Sequence, residues 1–255
     1  MLTNLGSKNF MVGIAITLLV MGLNYIRVDN VQKFLQRVEG ILYDARLLAT
    51  LSDEVRQFDE QVIIIDIDEK SMREQGRHPW SRSKVSDLVT KLMDAGVVLV
   101  AFDIFFAEPE RNPVEVILSK NTQLGAQSRE QIKSLTDSVD FDQEFANTLS
   151  NSEVVLGFLF DDRAQTSGQL PDSVIEWPHS VGQLSEIATF QNVLGNIAPL
   201  QSAATGAGFI NSVPESDGFI RKASLVLNYQ GQLYPSLALE AARVYTLAES
   251  IQAKS

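Results

Sequence analysis

Three hydrophobic patterns follow one another along the chain. The first is a block: FMVGIAITLLVMGLNYI, Phe10 to Ile26, carries no charge and only Asn24 as a strongly polar residue. At about 1.5 Å per residue a helix through it reaches roughly 25 Å, the short end of what crosses a bilayer. A cleaved signal peptide would need a small-x-small site after the block, and the helix-patterned RVDNVQKFLQ follows instead. A buried core helix is the alternative, but such helices rarely lack a polar face. The block therefore predicts an uncleaved membrane anchor in contact with lipid, with residues 1–27 as tail and anchor. Lys8 on one side is balanced by Arg27, Lys33 and Arg37 on the other, so flanking charge gives no orientation.

The second pattern is a heptad. Val31, Leu35, Val38, Leu42, Ala45 and Ala49 fall at alternating steps of four and three, one seam on a helix from about Asp29 to Leu51. Such a seam serves either a coiled-coil contact between two chains or docking on the chain's own body. In YPSLALEAARVYTLAESI, Leu237, Ala241, Val244, Ala248 and Ile251 repeat the arrangement. Residues 28–255 are thus expected to begin and end in long amphipathic helices.

Between these helices strands and helices alternate. QVIIIDID, Gln61 to Asp68, is a continuous β-branched run of the kind buried on both faces of a sheet. Ser83 to Ala95 carries Val85, Leu88, Val89, Leu92 and Met93 on one face, and Gly96 stands at the stop. VVLVAFDIFF, Val97 to Phe106, reads as a second strand, parallel to the first through a right-handed crossover. EVVLGFLF gives a third strand after a short helix around Phe141, Phe145 and Leu149. GFIN gives another, and GFIRKASLVLNYQGQLYPS a hairpin turning at Gln230-Gly231. Arg111 to Asp140 is polar and partly helical, and Asp161 to Gly195 is loop-rich. The fold class is α/β: one domain over 28–255, with a central mixed, partly parallel sheet flanked by helices.

Composition narrows the function. The 255 residues carry a net charge of −11, which argues against nucleic-acid binding, because phosphate contacts need clustered lysine and arginine. Cysteine is absent, so there is no disulfide, thiolate zinc site or cysteine nucleophile. The chain has no GxxxxGK[ST] loop, GxGxxG, HExxH or GxSxG. Its two histidines, His78 and His179, each adjoin a proline. No catalytic residue is assigned.

The candidate chemistry lies at strand ends. Asp66 and Asp68 close one expected strand and Asp103 the other, where ligands of parallel sheets bind. An oxygen-only cluster of that kind suits Mg²⁺ or Ca²⁺. The competing reading makes Asp68 a helix N-cap before EKSM and pairs Asp103 with Arg82 or Arg221. Just downstream, GRHPWSR places Gly76 where the chain leaves a helix and Pro79 where it fixes the backbone ahead of Trp80. Trp80 fills the joint before the next helix, and Arg82 reaches toward the acids.

The ordered series IIIDIDEKSMREQGRHPWSR, AGVVLVAFDIFFAEPE, GFINSVPESDGFIRKASL and YPSLALEAAR resembles the CHASE domain of the second type. The likeness runs from the opening motif Asp44-Ala45-Arg46 to Arg243. It departs at His78, where many relatives carry tryptophan or tyrosine. The resemblance implies a periplasmic sensor of a bacterial inner-membrane receptor, binding an unknown small molecule or periplasmic protein. It also implies a cytoplasmic effector outside these residues: a class III adenylate or guanylate cyclase in the favoured case, otherwise a histidine kinase, diguanylate cyclase or serine/threonine kinase. Such effectors work as pairs of chains, so a homodimer is expected. The candidate ligand contacts are Asp66, Asp68, Trp80, Arg82, Asp103, Asp217 and Arg221. The alternative is a membrane-anchored metal-dependent hydrolase built on the strand-end acids.

Overall fold

The computed structural model describes residues 10–18, 21–22, 29–50, 62–177, 187–212 and 217–253. They fall into two compact units, Met1–Ile64 with Val213–Lys222, and Ile65–Ser212 with Ala223–Ser255.

In the first unit, residues 10–18 and 21–22 are helical, and the remainder of the expected anchor lies outside the described residues. Among the described residues no helix is long and apolar enough to cross a membrane. Helix α1, Asp29–Thr50, forms where the heptad places it. Of its side chains whose placement is described, Gly40 alone is buried and Asp44 is half-buried; the others are exposed.

The second unit is organised by strand β2, Val154–Phe160. Strand β1, Val100–Ala101, lies parallel on one side of it and β6, Gly206–Phe209, parallel on the other. Backbone bonds from Phe102 N to Val155 O (2.9 Å) and from Gly157 N to Ile104 O (3.2 Å) prolong the first ladder beyond β1. The short β5, Val193–Leu194, joins the far end of β2 antiparallel. Strand β4, Thr189–Phe190, continues the hairpin of β7, Val226–Tyr229, and β8, Gln232–Pro235. The hairpin turns at Gln230 and Gly231, both at positive φ (51° and 84°), the two-residue geometry that suits twisted strands. Strand β3, Ile175–Glu176, pairs in parallel with β9, Ile251–Gln252.

Helix α2, Glu69–Gln75, precedes α3, Arg82–Asp94, which packs on α6, Phe141–Ser150. The polar insert supplies α4, Pro113–Lys120, and α5, Ala126–Lys133. Helix α7, Ala198–Ala203, packs on α6, and α8, Leu237–Tyr245, covers β6 and β2. The core gathers Val89, Phe106, Phe145, Leu149, Leu156, Phe158 and Phe209. The rings of Phe102, Phe106 and Phe145 meet edge to face at 5.4–6.2 Å. Fully buried Asn196 accepts from Phe106 N (2.8 Å) and donates to Gly157 O (3.0 Å) and Gln201 Oε1 (3.1 Å), so no buried polar atom is stranded where these segments meet.

Three expectations are corrected. Residues 62–68 form no strand, and Val62 to Ile65 are 54–90% exposed. β-branched propensity stabilises a strand only through cross-strand neighbours, and no partner strand pairs with this run among the described residues. The parallel crossover accordingly falls one element later, between β1 and β2. The C-terminal helix stops at Tyr245. Leu247 takes positive φ (55°), Arg243 Nη1 donates to Ala248 O, and Ile251 joins β9, so Ala248 and Ile251 leave the expected helix.

Candidate functional site

The Gly76–Arg82 stretch forms a closed turn between α2 and α3. Gly76 follows α2 at φ 90°, the His78–Pro79 bond is cis, and Trp80 Nε1 donates back to Gly76 O at 2.9 Å. Half-buried Trp80 has Lys84 Nζ 5.6 Å from its ring centre, and that ammonium also donates to Gln75 O. Ser81 caps α3 by accepting from Lys84 N. The tryptophan thus stitches the turn to α3, as expected of a joint.

Arg82, first residue of α3, is the organising cation of the second unit. Its Nε donates to Asp142 Oδ1 (3.1 Å) and its Nη2 to Glu108 O (2.9 Å), and its guanidinium lies 4.5 Å from the Phe106 ring centre. Its backbone N–H donates to Glu110 Oε2 (2.6 Å), while Glu110 N donates to Asp142 Oδ2 (2.8 Å). The Arg82 and Asp142 side chains are only 13% and 12% exposed. Beside this network lies an open cleft of about 690 Å³ whose walls include Glu110, Arg111, Asn112, Glu115, Asp140 and Asp142. Four carboxylates against one guanidinium make it a polar, acidic recess.

Arg82 therefore pairs with Asp142 and not with the expected Asp103. The reason is the period of the strand: Phe102 and Ile104 pack on the core, so Asp103 between them lies on the opposite, exposed face. Asp66 is exposed as well. Asp68 is the N-cap of α2, accepting from Ser71 N (2.7 Å) and Ser71 Oγ (2.8 Å). Those two bonds, the backbone one first, hold its carboxyl below the ordinary value of 3.8. Among the described residues no group of three or more histidines and acids is placed to hold a metal ion, so Asp66, Asp68 and Asp103 do not assemble into the Mg²⁺ or Ca²⁺ cluster.

The remaining two candidates, Asp217 and Arg221, meet in the first unit. Arg221 donates to Asp44 through both Nε and Nη2 (2.9 Å each), a parallel two-point grip on the carboxylate of α1. Its Nη1 reaches Asp217 at 2.8 Å, and its guanidinium lies 5.1 Å from the Phe219 ring centre. The Arg221 side chain is 9% exposed. Gly40 is what admits it: a Cβ on that helix residue would stand 3.2 Å from Arg221 Cζ. Both carboxyls titrate below 3.8, Asp44 chiefly through its bonds from Arg221, Asp217 chiefly through the bond from Phe219 N. The cluster joins the Asp44-Ala45-Arg46 and DGFIR motifs, which the sequence separates widely.

Sequence reasoning missed Glu110, Asp142 and Glu240 as partners, and Asp44 as the mate of Arg221. Glu240 in α8 is 2% exposed and takes two bonds from Arg243 (2.8 and 2.9 Å), which raise the guanidinium's pKa further. Its signal was an acid at the i+3 position from Leu237, on the apolar seam itself.

The family model of the CHASE2 domain matches residues 15–254 of the chain. No curated protein and no solved structure is similar enough to match.

Proposed function

The chain belongs to the CHASE2 domain family, a family of extracellular sensor domains of receptors, and from that membership we propose that it is the ligand-sensing module of a bacterial transmembrane receptor. Residues 10–26 hold it in the inner membrane, its body lies in the periplasm, and it relays to a cytoplasmic effector that these residues do not include. A class III adenylate or guanylate cyclase is the favoured effector. The signal is a small molecule or a periplasmic protein, and the receptor works as a homodimer.

The family match across nearly the whole chain carries the sensing role. The relay is supported by the grip of Arg221 on Asp44, which ties a surface loop to the helix that follows the uncharged block. A ligand that favours one setting of that loop shifts α1 only as far as its differential affinity for the two settings allows. Of the seven candidate contacts, Arg82 acts by holding the Asp142–Glu110 wall of the acidic cleft, and Trp80 by closing the turn that leads into it. Asp217 and Arg221 act on α1, while Asp66, Asp68 and Asp103 offer exposed carboxylates.

The placement is tested with a reporter that folds only outside the cytoplasm, fused after Ala253. Activity in intact cells is the expected result. A fusion at the same site that works only with a cytoplasmic reporter would overturn the periplasmic reading.

A further inference from the structure

The heptad of α1 and its grip on Arg221 lie on opposite faces of one helix. With Leu35 and Leu42 at position a and Val38 and Ala45 at d, Gly40 falls at f and Asp44 at c, the outer face of a coiled coil. At about 100° per residue, the Gly40–Asp44 direction stands roughly 160° from the centre of the seam. The contact with Arg221 thus fixes the rotation of α1 and turns the seam away from loop 217–221.

What it turns outward is a strip without a polar member. Positions g, a and d from Phe34 to Ala49 are Phe34, Leu35, Val38, Ile41, Leu42, Ala45, Leu48 and Ala49, and all eight are exposed. Charge is confined to other positions, with Arg37 and Asp44 at c and Glu39 and Arg46 at e. A strip this continuous is rarely left uncovered by a monomeric protein. Six of its members are large, and at roughly 100 Å² of exposed surface apiece, about half of a big side chain's area, they offer some 600 Å² per copy. Two copies would then cover about 1,200 Å² together, the lower end of specific interfaces.

We propose that the occupant of this strip is the same strip of a second copy, with the two α1 helices parallel and closed along Leu35, Val38, Leu42 and Ala45. Three observations select a second copy over another partner. The apolar spacing keeps heptad step across the described helix, the pattern that an identical helix matches at every turn. No like charge faces its counterpart across a, d or g. The area suffices for a pair. The parallel sense rests on the anchoring reading above, since two chains held by residues 10–26 rise from one membrane surface.

The chain has no cysteine, so single-cysteine variants of the full-length protein in membranes report the geometry directly. Leu35→Cys, Val38→Cys and Leu42→Cys should each form same-position disulfides on mild oxidation. Arg37→Cys, Tyr43→Cys and Leu47→Cys, on the outer positions, should yield at least fivefold less. Same-position bridging at three successive seam positions requires parallel helices, and an antiparallel pair would show it at one position at most. Equal yields around the helix, or a maximum at Arg37 and Leu47, would overturn the proposal. A strip lying on the bilayer surface would also overturn it, and would show as seam cysteines shielded from a water-soluble maleimide without any disulfide. Because Leu42 is exposed in the single chain, Leu42→Glu should leave the fold intact and convert a dimer to a monomer in sedimentation. A dimer that survives that change sinks the seam while leaving the sensor reading to the reporter test.

Discussion

Replacing Asp142 with alanine probes the network that closes the Gly76–Arg82 turn against α6. The carboxylate is 12% exposed and accepts two bonds, from Arg82 Nε at 3.1 Å and from Glu110 N at 2.8 Å. Its loss strands the Glu110 N–H, at about 1–3 kcal/mol for a buried donor, and leaves Arg82 short of its counter-charge. Breaking a buried ion pair from one side costs about 3–5 kcal/mol. Arg82, however, keeps Glu108 O at 2.9 Å and the Phe106 ring at 4.5 Å, which places the total nearer 2–3 kcal/mol. For a chain of this size that lowers the melting temperature by roughly 4–12 °C, read by circular dichroism on the full chain in detergent. Asp142→Asn retains one acceptor oxygen and loses the charge, so its melt should fall between the two. A shift under 2 °C for Asp142→Ala, or a larger one for Asp142→Asn, would refute the assignment of Asp142 as the structural partner of Arg82.

Three further outcomes follow from the same geometry. Gly206→Ala would put a Cβ 2.2 Å from Glu240 Oε1, which Arg243 holds in place; a loss of about 2–3 kcal/mol from overpacking is expected in chemical denaturation, and an unchanged midpoint would contradict it. Trp80→Phe deletes the bond to Gly76 O while keeping most of the ring, so a loss of about 1 kcal/mol should appear in the same assay. Asp44 and Asp217 titrate below 3.8 in the folded chain, so their contribution to stability is complete above the ordinary carboxylate value and fades only as pH falls through the depressed folded values. Carboxyl-carbon NMR should place both midpoints under 3.8, and Arg221→Ala should move that of Asp44 back up.

Local signals were legible in the sequence. Gly96 stops α3, Asp68 caps α2, Gln230-Gly231 turns the hairpin, and the run Val154–Phe160 is a buried strand, because each depends on residues within a few positions of one another. The partners of the two arginines were not legible. Arg82 and Asp142 are 60 residues apart, Arg221 and Asp44 177 apart, and charge attraction carries no information on which of many acids is near. Asp103 was misjudged although its own surroundings excluded it: apolar neighbours on both sides, at strand period two, send it off the core face. The Val62–Ile65 run was misjudged for the opposite reason, since its composition speaks of pairing and says nothing of whether a pairing edge is supplied.

That exposed run bears on how the chain behaves in company. Four successive β-branched residues, uncharged and open to solvent, have the composition from which cross-β stacks between chains begin. Charge at the margins is the usual obstacle to such stacking, and here it stands on both sides, Asp59 and Glu60 before the run and Asp66 and Asp68 after it. Neighbouring chains stacked in register would bring these carboxylates within about 5 Å of their copies, a repulsion repeated with every layer. The acids of the DID motif thus act as gatekeepers, guarding the protein against pairing through this run. Exchanging them for amides would leave the fold its helix cap and lower the barrier to fibre growth, with only Asp59 and Glu60 left to oppose it.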